Sequence, residues 1–304
     1  MKIFITGATG YIGGSIAEKL VAAGHTVTGL VRSEEKARLL KARGIEPVSG
    51  TLDDSDLLAS AARAADATIH TASADHPGSV VSLVTALERS GKLFIHTTGS
   101  AIVADHADGE YAAETPLDED SYFDPVPYRR PRVDMNRYVR QAAIEKGLRA
   151  IVICPAMVYG TGRGLHPDSE QIPGLIGLSR HAGAGVYFGK GLNVYSNVHI
   201  DDLVDLYLLA MEKAPGGSFF FAENGHNSFR EIAGMISTLP ELDGRTTSLP
   251  LETIIQSRGE AGRLGVASNS YVRAANARRL GWSPHGPSLA EWFREMIREG
   301  QPRS

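Results

Sequence analysis

A single cysteine, Cys154, stands in a chain of 304 residues, so no disulfide can form within it. It ends the apolar run Ile151-Val152-Ile153-Cys154, the composition of a buried strand, and a cytoplasmic protein in a reducing compartment is the expectation. Long apolar runs are also missing. None approaches the ~18 residues that a membrane-crossing helix needs, and the first strand starts at residue 2 with no signal peptide ahead of it, so a soluble protein with no membrane partner is expected. Excess charge of one sign is absent too: 31 Lys and Arg stand against 35 Asp and Glu, a net charge of −4 that offers nucleic acid no basic field. His166, His181 and His226 lie far apart, near glycine or proline and without the spacing of metal ligands, so they read as loop residues and no metal site is expected.

Glycine, by contrast, is plentiful at 33 residues, and three of them mark the most informative segment of the chain. Ile3, Phe4 and Ile5 form a short apolar run, the pattern of a central parallel strand, and Gly7, Gly10 and Gly13 follow at G-x-x-G-x-x-G spacing, with Thr9, Tyr11 and Ile12 between them. The first glycine permits a tight turn, the second lets main chain approach a pyrophosphate, and the third lets a helix pack close to the strand. Phosphates then sit on the free amides at the start of the helix, where its dipole favours negative charge. This helix runs from Tyr11 to Ala23, Gly24 ends it, and His25 to Val31 is a second strand, which completes one βαβ unit of ~30 residues.

The tip of that second strand carries Arg32-Ser33 where an acidic residue would bond a ribose 2′-hydroxyl. A guanidinium pairs with a 2′-phosphate and a serine hydroxyl adds a bond, so NADP is expected over NAD. The alternative is a solvated Arg32, with Glu34 and Glu35 beside it opposing a phosphate.

Helix and strand alternate onward. Helices are expected over Glu34 to Ala42, Ser55 to Arg63, Gly78 to Ser90 and Val126 to Lys146, and strands over Ile45 to Val48, Asp66 to Thr71, Leu93 to Thr97 and Ala150 to Cys154. The fold class is therefore α/β, a Rossmann-type doubly wound parallel sheet. Ligands belong at the carboxyl ends of such strands. Those ends carry Arg32, Leu52, Thr71-Ala72, Thr97 to Ser100 and Pro155 to Val158, with Met157 among them. Residues 1–160 make the dinucleotide-binding core, 198–214 return to it as an amphipathic helix, and 161–197 with 215–304 make a smaller C-terminal substrate-binding lobe.

At this point the chain resembles the short-chain dehydrogenase/reductases, in the extended or atypical branch that is also called the NAD-dependent epimerase/dehydratase group. Thr6 to Gly13 is similar to that branch's cofactor motif, Ser49 to Asp54 to its adenine-contacting segment, and Asp66 to Ala72 to the strand under the cofactor. Pro155 to Gly160 resembles the nicotinamide-side turn, and Asn197 to Leu203 the strand-to-helix motif of the second half.

The resemblance implies a Ser or Thr after the fifth strand and a Tyr-x-x-x-Lys on the next helix, the tyrosine acting as acid or base and the lysine lowering its pKa. Tyr128-Arg-Arg-Pro-Arg132 occupies that region with arginine in the lysine position, and Gly99 falls where the serine belongs, leaving Thr98 and Ser100 on either side. Arginine supplies charge but takes no part in a proton relay. Tyr128 thus reads either as the acid or as a loop aromatic, and Thr98 and Ser100 either as substrate-orienting hydroxyls or as turn residues. Tyr195 replaces the arginine that nucleotide-sugar members carry, which speaks against such a substrate. Arg129, Arg130, Arg132, Arg137 and Arg140 read as a solvated face, although any turned inward would favour a carboxylate or phosphate on the substrate.

Two functions follow as expectations. The first is an NADP-dependent oxidoreductase acting on a small carbonyl compound or its alcohol. The second is an NADP-binding sensor or interaction protein of degenerate activity, with an epimerase or dehydratase as a third possibility within the enzyme class. A homodimer is left open.

Overall fold

The computed structural model describes residues 1–300, and the last four residues of the range assigned to the lobe lie outside them. β1 (Lys2–Thr6) lies inside a sheet because Ile3, Phe4 and Ile5 have no exposed surface, which requires apolar cover on both faces. α1 (Tyr11–Ala22), β2 (Thr26–Val31), α2 (Glu34–Lys41), β3 (Ile45–Ser49) and α3 (Ser55–Ala64) follow in alternation. β4 (Ala67–His70), α4 (Pro77–Ala86), β5 (Leu93–Thr97), α5 (Arg130–Glu145) and β6 (Arg149–Pro155) complete the first half. The sheet has seven strands, in which β10 (Phe219–Ala222) joins in the order β10-β6-β5-β4-β1-β2-β3, every pairing parallel. Strand order reverses between β1 and β4, and the glycine loop opens at that switch point.

The remaining elements are β7 (Met157–Tyr159), α6 (Gln171–Ala182), β8 (Gly185–Phe188), β9 (Val194–His199), α7 (Ile200–Lys213), β11 (His226–Ser228), α8 (Phe229–Ser237), β12 (Thr246–Leu249), α9 (Leu251–Val266), α10 (Ala275–Leu280) and α11 (Leu289–Arg298). A three-stranded sheet β11-β9-β7 and the pair β12-β8 build the lobe around its own core of Tyr159, Phe188, Phe229 and Phe293. Side chains alternate along β7, so Met157 and Tyr159 enter the lobe core while Val158 enters the main one. No helix of the described residues is long and apolar enough to cross a membrane.

Two boundaries differ from the sequence reading. Residues 215–304 are not all lobe: β10 pairs with β6 (Phe219↔Val152), and Val272, Ala277 and Trp282 pack in the main core. The triplet Phe219-Phe220-Phe221 is a buried parallel strand, and its shortness hid it behind the helical pattern around it. The expected helix over 126–146 also splits, because Pro127, Tyr128 and Arg129 form one turn of tighter helix and α5 begins only at Arg130, with Pro131 in its first turn.

Candidate active site and cofactor cavity

The corner between β1 and α1 is packed to its limit. Gly7 has φ +81°, and a Cβ on Gly13 would stand 2.3 Å from Thr71 Oγ1 and 2.4 Å from the Gly7 carbonyl oxygen. Thr71 holds the floor by donating to the Thr6 carbonyl at 2.7 Å. Gly10 is different: a Cβ there would meet only the Gly7 carbonyl, at 3.2 Å, and otherwise point into open space. The Gly14 amide to the Gly10 carbonyl, 2.9 Å, opens the intrahelical ladder, and no side chain caps the amides ahead of it. A cradle that a methyl group would fill, beside uncapped amides at a helix N-terminus, fits a dinucleotide pyrophosphate.

The cradle opens into one cavity of about 1250 Å³. That exceeds the roughly 300–1,000 Å³ of a pocket for one small ligand, so a cofactor leaves room for a substrate. Gly7, Thr9, Gly10, Tyr11, Ile12 and Gly13 line it, as do Arg32, Leu52, Thr71, Ala72, Pro155 and Val158. Two residues expected there are elsewhere. The Ser33 hydroxyl caps α2 by accepting the Lys36 amide at 3.3 Å, and the Lys36 side chain takes the place on the wall. Met157 is fully buried in the lobe core, because the alternation along β7 turns it away from the cavity.

At the carboxyl ends of β5 and β6 the wall consists of Thr98, Gly99, Ser100, Arg129, Arg132 and Tyr195. The Arg132 Nε and Nη2 both bond the Asp75 carboxylate, which neutralises this guanidinium and holds the Asp75 carboxyl below its usual range. Arg129 is 5% exposed, its Nε has no hydrogen-bond partner, and among the described residues no carboxylate stands within ion-pair distance of it. Burial and the like charge of Arg132 press its pKa down. An uncompensated charge away from water is costly, and such a residue marks a site.

The hydroxyls are ordered in a similar way. Ser100 is buried and its Oγ lies 2.7 Å from Ser270 Oγ. Ser270 pairs through its main chain with Tyr195, which is 2% exposed. Burial raises the Tyr195 pKa, while the Arg129 charge opposes the rise, so at neutral pH the phenol is protonated and able to donate. Thr98 Oγ1 is buried with no partner. Tyr128 does not share this wall: it is 51% exposed, with the Arg129 guanidinium 5.1 Å from its ring centroid.

α6 and α9 also line the cavity, with Leu175, Leu178, Ile254, Ala261 and Val266 making an apolar stretch and Arg258 beside them. α9 is broken at Gly259, where φ is +59° and ψ −155°. Sequence reading missed Lys36, Arg129 and Tyr195 as wall residues. A helical i+4 step from Arg32 was the available signal for Lys36; the other two depended on how β9 and the turn before α5 pack.

Fold and cavity together define a class, the doubly wound proteins that bind a nicotinamide dinucleotide with a substrate lobe beside it. Over residues 3–220 the sequence matches the NAD dependent epimerase/dehydratase family, and the chain belongs to that family. Its members are NAD(P)-dependent oxidoreductases, epimerases and dehydratases, and this chain is an enzyme of that type binding NAD(P). The uncharacterized protein C2A9.02 of Schizosaccharomyces pombe is 32% identical over 95% of this chain and 97% of its own length. A 4-hydroxy-2-methyl-3-oxo-4-farnesyl-3,4-dihydroquinoline-1-oxide ketoreductase of Stigmatella aurantiaca is 28% identical over 80% of this chain and 74% of its own. Among solved structures, UDP-glucose 4-epimerase of Thermotoga maritima with UDP-glucose superposes with a TM-score of 0.77 at 20% identity, covering 99% of both chains. That protein takes a nucleotide sugar on this fold, which weakens the expectation drawn from Tyr195 against such substrates.

Proposed function

We propose that the protein is an NADP-dependent reductase of a small carbonyl compound. The observation that carries the cofactor preference is the pair Arg32 and Lys36 on the cavity wall past β2, where neither Glu34 nor Glu35 reaches. Two cations suit a 2′-phosphate and leave a bare 2′-hydroxyl poorly held. Bound NADPH would supply the hydride for the carbonyl carbon and the chain a proton for its oxygen, giving an alcohol and NADP⁺.

The chain's residues handle the proton. Tyr195 replaces Tyr128 in the donor role, since it lies on the wall with its proton in place. Arg132, fixed and neutralised by Asp75, stands beside the loop at Gly99, where an added Cβ would lie 3.8 Å from Nη1. The sensor reading is favoured by arginine in the lysine position and Gly99 in the serine position.

Titration with NADPH and NADH, followed by nicotinamide fluorescence, tests the preference. A panel of aldehydes, ketones and UDP-glucose added to the NADPH complex then tests the reaction. Preferential NADPH binding with oxidation by a carbonyl compound supports the proposal. Binding without turnover points to the sensor, altered UDP-glucose without net oxidation points to an epimerase, and preference for NADH removes Arg32 and Lys36 from any part in holding a 2′-phosphate.

A further inference from the structure

We propose that the substrate is an oxo acid whose carboxylate is bound by Arg129. This rests on the reductase reading above and names the substrate class for the same site. Arg129 is 95% removed from solvent, leaves Nε unbonded, and has no carboxylate within ion-pair distance among the described residues, although it lines a large cavity. The neighbouring cation is already neutralised, because Asp75 holds Arg132 through two bonds. One uncompensated positive charge therefore remains at this end of the cavity.

A bound dinucleotide would have its anions held elsewhere: the uncapped start of α1, Arg32 and Lys36 would take phosphates at the ends of β1 and β2, whereas Arg129 stands past β5 and β6. A monoanion balances the charge, and a dianionic phosphate would leave an excess negative charge buried. The planar fork of a guanidinium also matches the two oxygens of a carboxylate. Leu175, Leu178, Ile254 and Val266 then enclose the hydrocarbon part. Reduction balances as a hydride from NADPH to the keto carbon and a proton to its oxygen, yielding a hydroxy acid and NADP⁺, with the carboxylate unchanged.

The full-length protein with NADPH is assayed against 2-oxo and 3-oxo acids of graded chain length, each beside its methyl ester. The acids are expected to exceed their esters in kcat/KM by roughly 10–100-fold, the worth of a charge-assisted bidentate bond. Arg129→Met removes that preference by bringing the acids' kcat/KM down to that of their esters, and does not lower the thermal midpoint, since it deletes an uncompensated buried charge. Equal rates for acids and esters, or equal losses for both in Arg129→Met, overturn the proposal while the reductase reading stands. Calorimetric titration of the protein, with and without NADP⁺, by the corresponding hydroxy acids and their esters supplies a readout independent of turnover. Failure to bind NADPH would sink the reductase reading, and the same titration would still decide whether Arg129 takes a carboxylate.

Discussion

Adding one methyl group to the glycine loop should unsettle the apo fold at one position and spare it at another three residues away. In Gly13→Ala the new Cβ meets Thr71 Oγ1 at 2.3 Å and the Gly7 carbonyl oxygen at 2.4 Å. The second obstacle is main chain and cannot swing aside, so α1 must lift off β1. Overpacking costs ~1–3 kcal/mol, and losing the Thr71 bond to the Thr6 carbonyl adds ~1 kcal/mol. At roughly 2–3 °C per kcal/mol for a chain of this length, the apo midpoint falls by about 4–12 °C. In Gly10→Ala the only near atom is the Gly7 carbonyl oxygen at 3.2 Å, and φ −85° with ψ 178° suits any residue. Its apo midpoint should stay within about 2 °C.

The ligand response should fail in both. NADPH at a hundredfold excess over Kd adds ~2.7 kcal/mol to the wild type, a rise of roughly 5–8 °C. Both variants should lose most of that rise, Gly13→Ala because the cradle is displaced and Gly10→Ala because the methyl occupies the phosphate's approach. Scanning calorimetry with and without NADPH reads both effects. A Gly13→Ala protein with wild-type midpoints, or a Gly10→Ala protein with an undiminished NADPH shift, would refute the packing reasoning.

Tyr195→Phe should cut turnover by ~10²-fold or more at unchanged NADPH affinity, while Tyr128→Phe stays within about twofold; steady-state rates for both decide which phenol gives the proton. Arg32→Asp combined with Lys36→Ala should lower NADPH affinity by roughly 10–100-fold and spare NADH, measured by fluorescence titration. His70 and His96 are buried in the core and titrate far lower than in an unfolded chain, near 4 and near 3 against 6.5, through burial above all. The unfolded state therefore binds protons that the fold refuses, so stability is complete above pH ~6.5 and falls as pH drops toward ~4, by up to ~1.4 kcal/mol per unit for each histidine. Urea midpoints across that window should show the loss, and His96→Leu should flatten it by about half.

The core half of the fold was legible because period, punctuation and apolar runs agree there. β1 through β5 alternate with helices at expected places, and the glycines mark a corner that only glycine can occupy. β10 was not legible: three phenylalanines between a helix end and a loop say only that they are buried, and pairing with β6 is a long-range choice. The cofactor wall followed from strand ends, except where local chemistry diverted a side chain, as capping did for Ser33 and alternation did for Met157. The chemistry end was least legible. A tyrosine at motif spacing reads as an acid, yet the turn Pro127–Arg129 rotates Tyr128 outward and Arg129 inward, and no sequence pattern announces that rotation.

The lobe's two contributions to the substrate wall are both hung from one strand. The excursion carrying α6 leaves at the end of β7 and returns to β9, which pairs with β7 in parallel (Tyr159↔His199). The excursion carrying α9 comes back at Ser270, whose amide and carbonyl bond Val194 and Ser196 of β9. Both excursions can thus change in length and composition while the glycine cradle and the seven-stranded sheet keep their own connections. The apolar wall of the cavity is anchored at β9, so a change confined to either excursion leaves the pairing that holds the glycine loop untouched.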